Sequence, residues 1–244
     1  VCFEFGSGLR QYHWGLEQRG FEMADIVQQI AICVERGKVN ASSSYPPDLR
    51  GQDGADELAK KALDQGIPPS EILDKGLILG MTTIGKKFSE NKVFVPDVLM
   101  AAKAMKAAMQ HLKPYFDSGQ AKHKGTFIIG TVQGDLHDIG KNLVAMVVEG
   151  GGYKVIDLGV DVAPEKFLAA LQENPNAAVG LSALLTTTMI NMEKVVTLLK
   201  EKIPGARVIV GGAPLTREFA NKIKADAYGP DPQGALDFLV ACSA

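Results

Sequence analysis

The second half of the chain alternates short apolar segments with longer amphipathic ones, and this alternation is what most constrains the fold. The short segments have the length and composition of buried strands, whereas the longer ones repeat their apolar residues at helical spacing. Strands that alternate with helices in this way form a parallel sheet with helices on both faces. The predicted strands are Thr126–Val132, Lys154–Leu158, Ala177–Leu181, Arg207–Val210 and Asp226–Tyr228, and the predicted helices are Ile139–Glu149, Pro164–Glu173, Thr188–Lys202, Leu215–Lys224 and Gln233–Val240.

The first half of the chain has helical spacing in every convincing segment, and four helices are predicted there. The first is Ile26–Glu35, and Ser70 is expected to cap the third. Pro96 opens the fourth helix at a position where proline is tolerated. Apolar residues of that helix, Leu99 among them, are expected to face inward.

The predicted fold class is therefore α/β, in two parts. Residues 23–120 form an N-terminal four-helix bundle cap, and residues 121–244 form a flavodoxin-like, five-stranded, doubly wound parallel sheet. The polar link 117–125 is the predicted boundary and hinge. Residues 1–22 show no clear hydrophobic period, so they are expected to be a non-native or disordered extension, or else a partly ordered arm.

Charge and composition exclude several classes of protein. A net charge of −2 and a pI near 6.1 give no electrostatic footprint for nucleic acid or for an anionic membrane. The apolar runs are too short to span a bilayer. Three widely spaced cysteines indicate neither a disulfide framework nor a cysteine-based metal site, so we expect a reducing, cytoplasmic location.

The most informative motif lies where the first predicted strand turns into a helix. Asp135 and His137 stand two residues apart in this loop, and Gly140 opens the helix. A histidine that is oriented by a carboxylate suits a general base or a neutral nitrogen ligand to a metal. The third possibility is a structural turn, in which the aspartate only caps the helix.

Two further motifs follow at the ends of later strands. Forty-one residues separate Gly140 from Ser182, and twenty-six separate Leu184 from Gly211. All three motifs fall at the carboxyl ends of strands, where open α/β sheets bind ligands. With this spacing the chain resembles the cobalamin-binding domain of methionine synthase and the corrinoid proteins of methyltransferase systems, over roughly residues 55–240.

The resemblance implies a cofactor, cobalamin or a related corrinoid, and a role for each motif. His137 would be the lower axial ligand of cobalt, and Asp135 and Thr188 would complete a relay behind it. Ser182 would donate to the buried base of the cofactor's nucleotide tail, and the missing side chains of Gly211 and Gly212 would leave room for that tail. Further candidates for the same cleft are Gly134, Asp138, Ile139, Gly140, Leu184, Thr186, Thr187, Ala213, Tyr228 and Gly229.

The helical half resembles the cap of the methionine synthase type, in which apolar side chains cover the upper corrin face. Phe88 and Val95 fall at the two capping positions, and Asp74 falls where that family has a glutamate that contacts the corrin. The alternative is that these apolar residues belong to the bundle core. We expect that alternative to hold for Phe94.

The implied function is a methyl shuttle that is not catalytic alone. A donor-specific methyltransferase would load a methyl group onto cobalt(I), and an acceptor methyltransferase would pass it to tetrahydrofolate or a thiol. A reductive activator would rescue oxidised cobalt. Two alternatives remain open at this point: a cobalamin-dependent sensor or regulator, which needs a DNA-binding module, and a subunit of an adenosylcobalamin mutase, which works with a large barrel.

Overall fold

The computed structural model describes residues 26–118 and 122–243, so the prediction for residues 1–22 lies outside the described part of the chain. Its first part is helical. The helices are α1 (26–35), α2 (Ala55–Asp64), α3 (Pro69–Glu71), α4 (Leu79–Ser89) and α5 (Val95–Asp117), with a 3₁₀ turn at Pro47–Leu49 and a π-helical stretch, Ile72–Ile78, that joins α3 to α4.

Local sequence explains where these helices begin. The Glu57 carboxylate accepts from the backbone N–H of Gly54, at 2.9 Å, before α2. Asp97 accepts in the same way from Phe94, at 2.8 Å, before α5. The prediction that Ser70 caps its helix is wrong, because Pro69 already occupies the first helical position. Leu99 is also not inward, since 42% of it is exposed.

The second part is a five-stranded parallel sheet, which confirms the predicted class. Its strands are β1 (Thr126–Thr131), β2 (Lys154–Asp157), β3 (Ala178–Ser182), β4 (Arg207–Gly211) and β5 (Ala227–Gly229), in the order β2-β1-β3-β4-β5. All the strand pairs are parallel. The helices are α6 (Ile139–Gly150), α7 (Pro164–Glu173), α8 (Ile190–Lys202), α9 (Arg217–Lys222) and α10 (Pro232–Ser243). Every predicted strand boundary is within one residue of the observed one.

Two apolar clusters cover the two faces of the sheet. One contains Ile128, Phe167 and Leu199 and packs β1 against α7 and α8. The other runs from Phe127 through α6 and α10 into the helical part, where it includes Leu77 and Met81. The bundle therefore shares a core with the sheet and is not attached to it by the link alone.

Glycines allow α4 to lie close to the helices of the sheet. A Cβ atom at Gly85 would meet the side chain of Gln233 at 2.4 Å, and one at Gly150 would meet Met81 at 2.7 Å. Helix α4 consequently runs along α6, from the amino-terminal edge of the sheet near Gly150 to the carboxyl edge near Lys141, where Phe88 lies. Within the described ranges, no helix is long and apolar enough to cross a membrane.

Candidate functional site

The loop between β1 and α6 presents a histidine above a buried aspartate. Asp135 is fully buried, whereas 49% of the His137 side chain is exposed. The two side chains are joined by a hydrogen bond of 2.7 Å between Nδ1 of the imidazole and Oδ1 of the carboxylate. Gly134 makes the turn possible, because its φ of 85° lies in the left-handed region that favours glycine.

Asp135 accepts hydrogen bonds from two loops of the sheet. Its Oδ1 also accepts from the backbone N–H of His137, at 3.1 Å. Its Oδ2 accepts from the hydroxyl of Thr188 at 2.6 Å and from the backbone N–H groups of Leu184 at 2.8 Å and Leu185 at 3.2 Å. One carboxylate thus fastens the loop after β1 to the loop after β3.

These bonds decide the charge of Asp135. Burial by itself would raise the pKa of this carboxyl group, but the hydrogen bonds from Thr188, Leu184 and His137 outweigh burial and lower the pKa below its ordinary value. The ionised carboxylate can only accept, so Nδ1 of His137 carries the proton of this bond. The lone pair of the neutral imidazole therefore lies on Nε2, which is the atom that remains free to bind a metal.

Apolar side chains that point into solvent surround the histidine. The exposed large apolar residues of the two joined loops, together with the first residue of α6, are Leu136, Leu184, Leu185 and Ile139. An exposed apolar surface of this kind indicates a place where a ligand or a partner binds. It suits the flat, largely apolar ring of a corrin.

A groove of about 310 Å³ opens beside the histidine loop, among the carboxyl ends of β3, β4 and β5 and the helices α6 and α10. Strand register brings Thr131, Ser182, Gly211 and Gly229 side by side across this edge. Gly211, Gly212 and Ala213 line the groove with almost no side-chain volume, and Ser182 supplies a hydroxyl. The groove can therefore admit a ligand between the strand ends.

Close packing requires glycine at two of these positions. A Cβ atom at Gly212 would lie 1.9 Å from the backbone oxygen of Ala183, and its φ of 140° is itself strained for other residues. A Cβ atom at Gly180 would meet the ring of Phe127 at 2.4 Å. These glycines let the backbone pack closely at the floor of the groove.

The structure brings most of the predicted site residues together at this edge. Gly134, Asp135, His137, Asp138, Ile139, Leu184 and Thr188 belong to the two joined loops and their helix starts, and Gly140, Ser182, Gly211, Gly212, Ala213 and Gly229 line the groove. Thr186 and Thr187 are exposed on the loop after β3.

Several predicted residues lie elsewhere. Tyr228 packs into the core on the opposite face of the sheet, because side chains alternate along β5. Asp74 is exposed in the π-helical stretch. Two other residues of that stretch, Leu73 and Ile78, lie near Gly152 and Tyr153, which come just before β2. Asp74 is thus placed at the opposite edge from His137.

The cap residues differ from expectation in part. Phe88 lines the groove, and Val95 is half-buried against the bundle core. Contact of either with the upper corrin face stays a prediction. The prediction for Phe94 is wrong, because 70% of this residue is exposed. It is the residue before α5, and its backbone N–H rather than its ring is held by the helix.

Sequence reasoning missed several residues of the site. Thr131 and Lys141 are buried next to the loop, and Asp161 accepts from the backbone N–H of Gly134 at 2.7 Å. Residues 230–232 line the groove, although their sequence matches the family poorly. The one available signal was Lys141, a lysine at an inward position of an otherwise apolar helix face.

Comparison with known protein families agrees with this geometry. Residues 125–237 match a B12 binding domain, and residues 51–113 match a second family that is also described as a B12 binding domain. The two matches fall on the sheet and on the helical part, respectively. The fold and the site thus define a B12-binding protein.

Relatives of similar length show which family of B12-binding proteins this chain resembles. The chain is 43% identical to trimethylamine corrinoid protein 2 of Methanosarcina mazei, over 75% of this chain and 85% of that protein. It is 42% identical to dimethylamine corrinoid protein 1 of Methanosarcina acetivorans, over 74% and 84% of the two chains. The chain therefore belongs to the family of corrinoid proteins that serve methyl transfer.

Solved structures share the architecture. The methanol:cobalamin methyltransferase complex of Methanosarcina barkeri contains a chain with a TM-score of 0.75 and 27% identity, which covers 99% of this chain and 94% of its own length. A cobalamin-binding protein of Desulfitobacterium hafniense gives a TM-score of 0.69 and 25% identity, over 90% and 98% of the two chains. The bundle-plus-sheet arrangement is thus common to cobalamin-binding proteins of this type.

The hydrogen bond from Thr188 should measurably stabilise the apoprotein. Thr188→Val keeps the shape of the side chain but removes a donor from a buried carboxylate, so we expect a loss of about 1.5–3 kcal/mol in the free energy of unfolding. Urea denaturation at neutral pH measures this loss. Thr188→Ser should lose less, because the hydroxyl remains. Thr187→Val, on the neighbouring exposed threonine, is the control, and equal losses for the two valine variants would contradict the role of Asp135 as an anchor.

Proposed function

We propose that this chain carries a methyl group on a corrinoid whose cobalt is ligated by His137, between a methylamine-type donor system and an acceptor methyltransferase. The observation that carries the proposal is the state of the imidazole. Its Nδ1 is held by the ionised Asp135, which leaves the Nε2 lone pair free beside an apolar surface and a glycine-lined groove. Each of these three features fits one part of a corrinoid.

The bound corrinoid would supply a cobalt centre that accepts and releases a methyl group. His137 would hold this centre through Nε2, and Asp135 would fix the orientation of the imidazole ring. Thr188 keeps the second oxygen of Asp135 occupied, so that the carboxylate remains ionised.

The groove residues would bind the displaced nucleotide tail. Ser182 would donate its hydroxyl to the base, and Gly211 and Gly212 would let the tail approach the backbone. The exposed apolar side chains Leu136 and Leu184 would contact the corrin and exclude water from the ligand nitrogen.

Three protein partners follow from this role. One methyltransferase would load the methyl group, a second would remove it, and a reductive activator would restore cobalt(I). The names of the relatives support amines as the donor class, and the solved complex supports direct docking with a methyltransferase. The hinge predicted at residues 117–125 is not enough for such access, because the helical cap shares a core with the sheet and would have to break that packing to move away from the face that these partners use.

Replacement of His137 tests the ligand directly. We expect His137→Gly to bind the corrinoid with the groove intact, but to lose the nitrogen superhyperfine splitting that the wild type gives in the electron paramagnetic resonance spectrum of cobalt(II). His123→Gly, on a histidine outside the site, is the matched control and should keep the splitting. An unchanged splitting pattern in His137→Gly would falsify the ligation.

Turnover experiments test the carrier role. The reduced holoprotein should accept a methyl group from methyl iodide, a strong chemical donor. With methylamines alone it should show negligible turnover, because in the proposed role the donor-specific methyltransferase, and not this chain, binds the amine. Addition of a cognate methyltransferase should restore transfer. Multiple turnovers from a methylamine by this chain alone would contradict the carrier role.

A further inference from the structure

Lys141 is a buried cation that the proposed function does not use. It lies in the first turn of α6, and 2% of its side chain is exposed. The side chain helps to line the groove, whereas its Nζ donates to Oδ2 of Asp157 at 2.5 Å and to Oδ1 of Asn142 at 2.6 Å. Removing an ammonium group from water is costly, and a good geometry with several partners is needed to offset that cost.

One partner of Lys141, Asn142, connects it to the histidine loop. Asn142 donates its side-chain N–H to Oδ2 of Asp138 at 3.0 Å, and its backbone N–H to the carbonyl oxygen of Asp138 at 2.7 Å. Asp138 directly follows His137 in the chain. Lys141 is therefore connected through a single side chain to the residue beside the proposed ligand.

The other partner of Lys141, Asp157, connects it to His137 by a second route. Oδ1 of Asp157 accepts from the backbone N–H of Gly159 at 2.9 Å, and the carbonyl oxygen of Gly159 accepts from the backbone N–H of Thr131 at 3.0 Å. The hydroxyl of Thr131, which is fully buried, donates to the carbonyl oxygen of His137 at 2.9 Å. The hydrogen bonds thus form a closed ring, which we call the backbone ring, that begins and ends at His137.

The backbone ring and Asp135 constrain different parts of the same residue. Asp135 holds the imidazole, whereas the ring holds the carbonyl group of His137 and the residue that follows it. A side chain can be oriented only as well as the backbone that carries it. Because Lys141 also lines the groove, one residue touches both the space for the nucleotide tail and the support of the histidine.

We infer that Lys141 is a positioning residue that aligns His137 with the ligand in the groove. This inference rests on the proposed function, because it takes His137 as the ligand. The amine closes the backbone ring and so fixes the position of the His137 backbone, while the same side chain forms part of the groove wall. Lys141 would therefore couple the position of His137 to the position of the nucleotide tail in the groove.

The test uses cobalamin-loaded full-length protein in the cobalt(II) state. Lys141→Met keeps an apolar stem of similar length and removes the amine. Its expected effect is a decrease of about tenfold in the ratio of nitrogen-coordinated to uncoordinated cobalt(II), measured by electron paramagnetic resonance, with cobalamin affinity changed much less. A loss of stability alone would not change this ratio.

Two matched variants separate alignment from general destabilisation. Lys200→Met removes a comparable amine, which pairs with Asp226 and with the carbonyl oxygen of Ala206 at the amino-terminal edge of the sheet, and it should leave the ratio unchanged. Thr131→Val opens the backbone ring at another point without charge and should lower the ratio by about fivefold. Thr131→Ser retains the hydroxyl and should restore it.

Each outcome has a distinct meaning. Nitrogen splitting in the wild type with an unchanged ratio in Lys141→Met and in Thr131→Val overturns this inference alone. An equal decrease in Lys200→Met, or no rescue by Thr131→Ser, also overturns it. The absence of protein nitrogen splitting in the wild type overturns the proposed function, and this inference falls with it.

Discussion

The hydrogen bonds of Asp135 are the interaction on which the site depends. A fully buried carboxylate is tolerated only when its oxygens are satisfied, and here the donors come from the loops after two neighbouring strands. Satisfying Asp135 therefore also sets the distance between those loops. The same carboxylate fixes the tautomer of His137, so fold stability and ligand chemistry depend on one residue.

The rest of the architecture supports this edge. Parallel register brings Thr131, Ser182 and Gly211 level with one another, which makes three distant motifs into one groove. The helical part shares the apolar core of the sheet, so α4 holds Phe88 at the groove wall. The protein thus combines the joined loops of the sheet edge with a layer of helices that is packed onto the same core.

The sequence predicted those parts of the fold that follow from periodicity and spacing. The strands and their parallel arrangement could be predicted from the hydrophobic period. The meeting of Asp135, His137 and Thr188 was implied by the family resemblance, and it agrees with the convergence of strand ends in such sheets. The face of Phe94 could not be predicted, because this residue precedes a helix and has no period to fix its side. The face of Tyr228 could not be predicted either, because β5 has only three residues and its alternation is too short to read from the sequence. Lys141 was missed for another reason: a lysine is expected at the surface, so its inward position on α6 was passed over, and the partner that permits its burial, Asp157, is a distant residue in the sequence.

The central claim is that the nitrogen below the cobalt comes from the protein. Isotopic labelling tests it without any mutation. Protein labelled with ¹⁵N at histidine only, and loaded with unlabelled cobalamin, should give a cobalt(II) spectrum in which each superhyperfine triplet becomes a doublet, because the nuclear spin of the ligand nitrogen has changed. A triplet that persists would show that the nitrogen belongs to the cofactor's own base, and would contradict the ligation by His137.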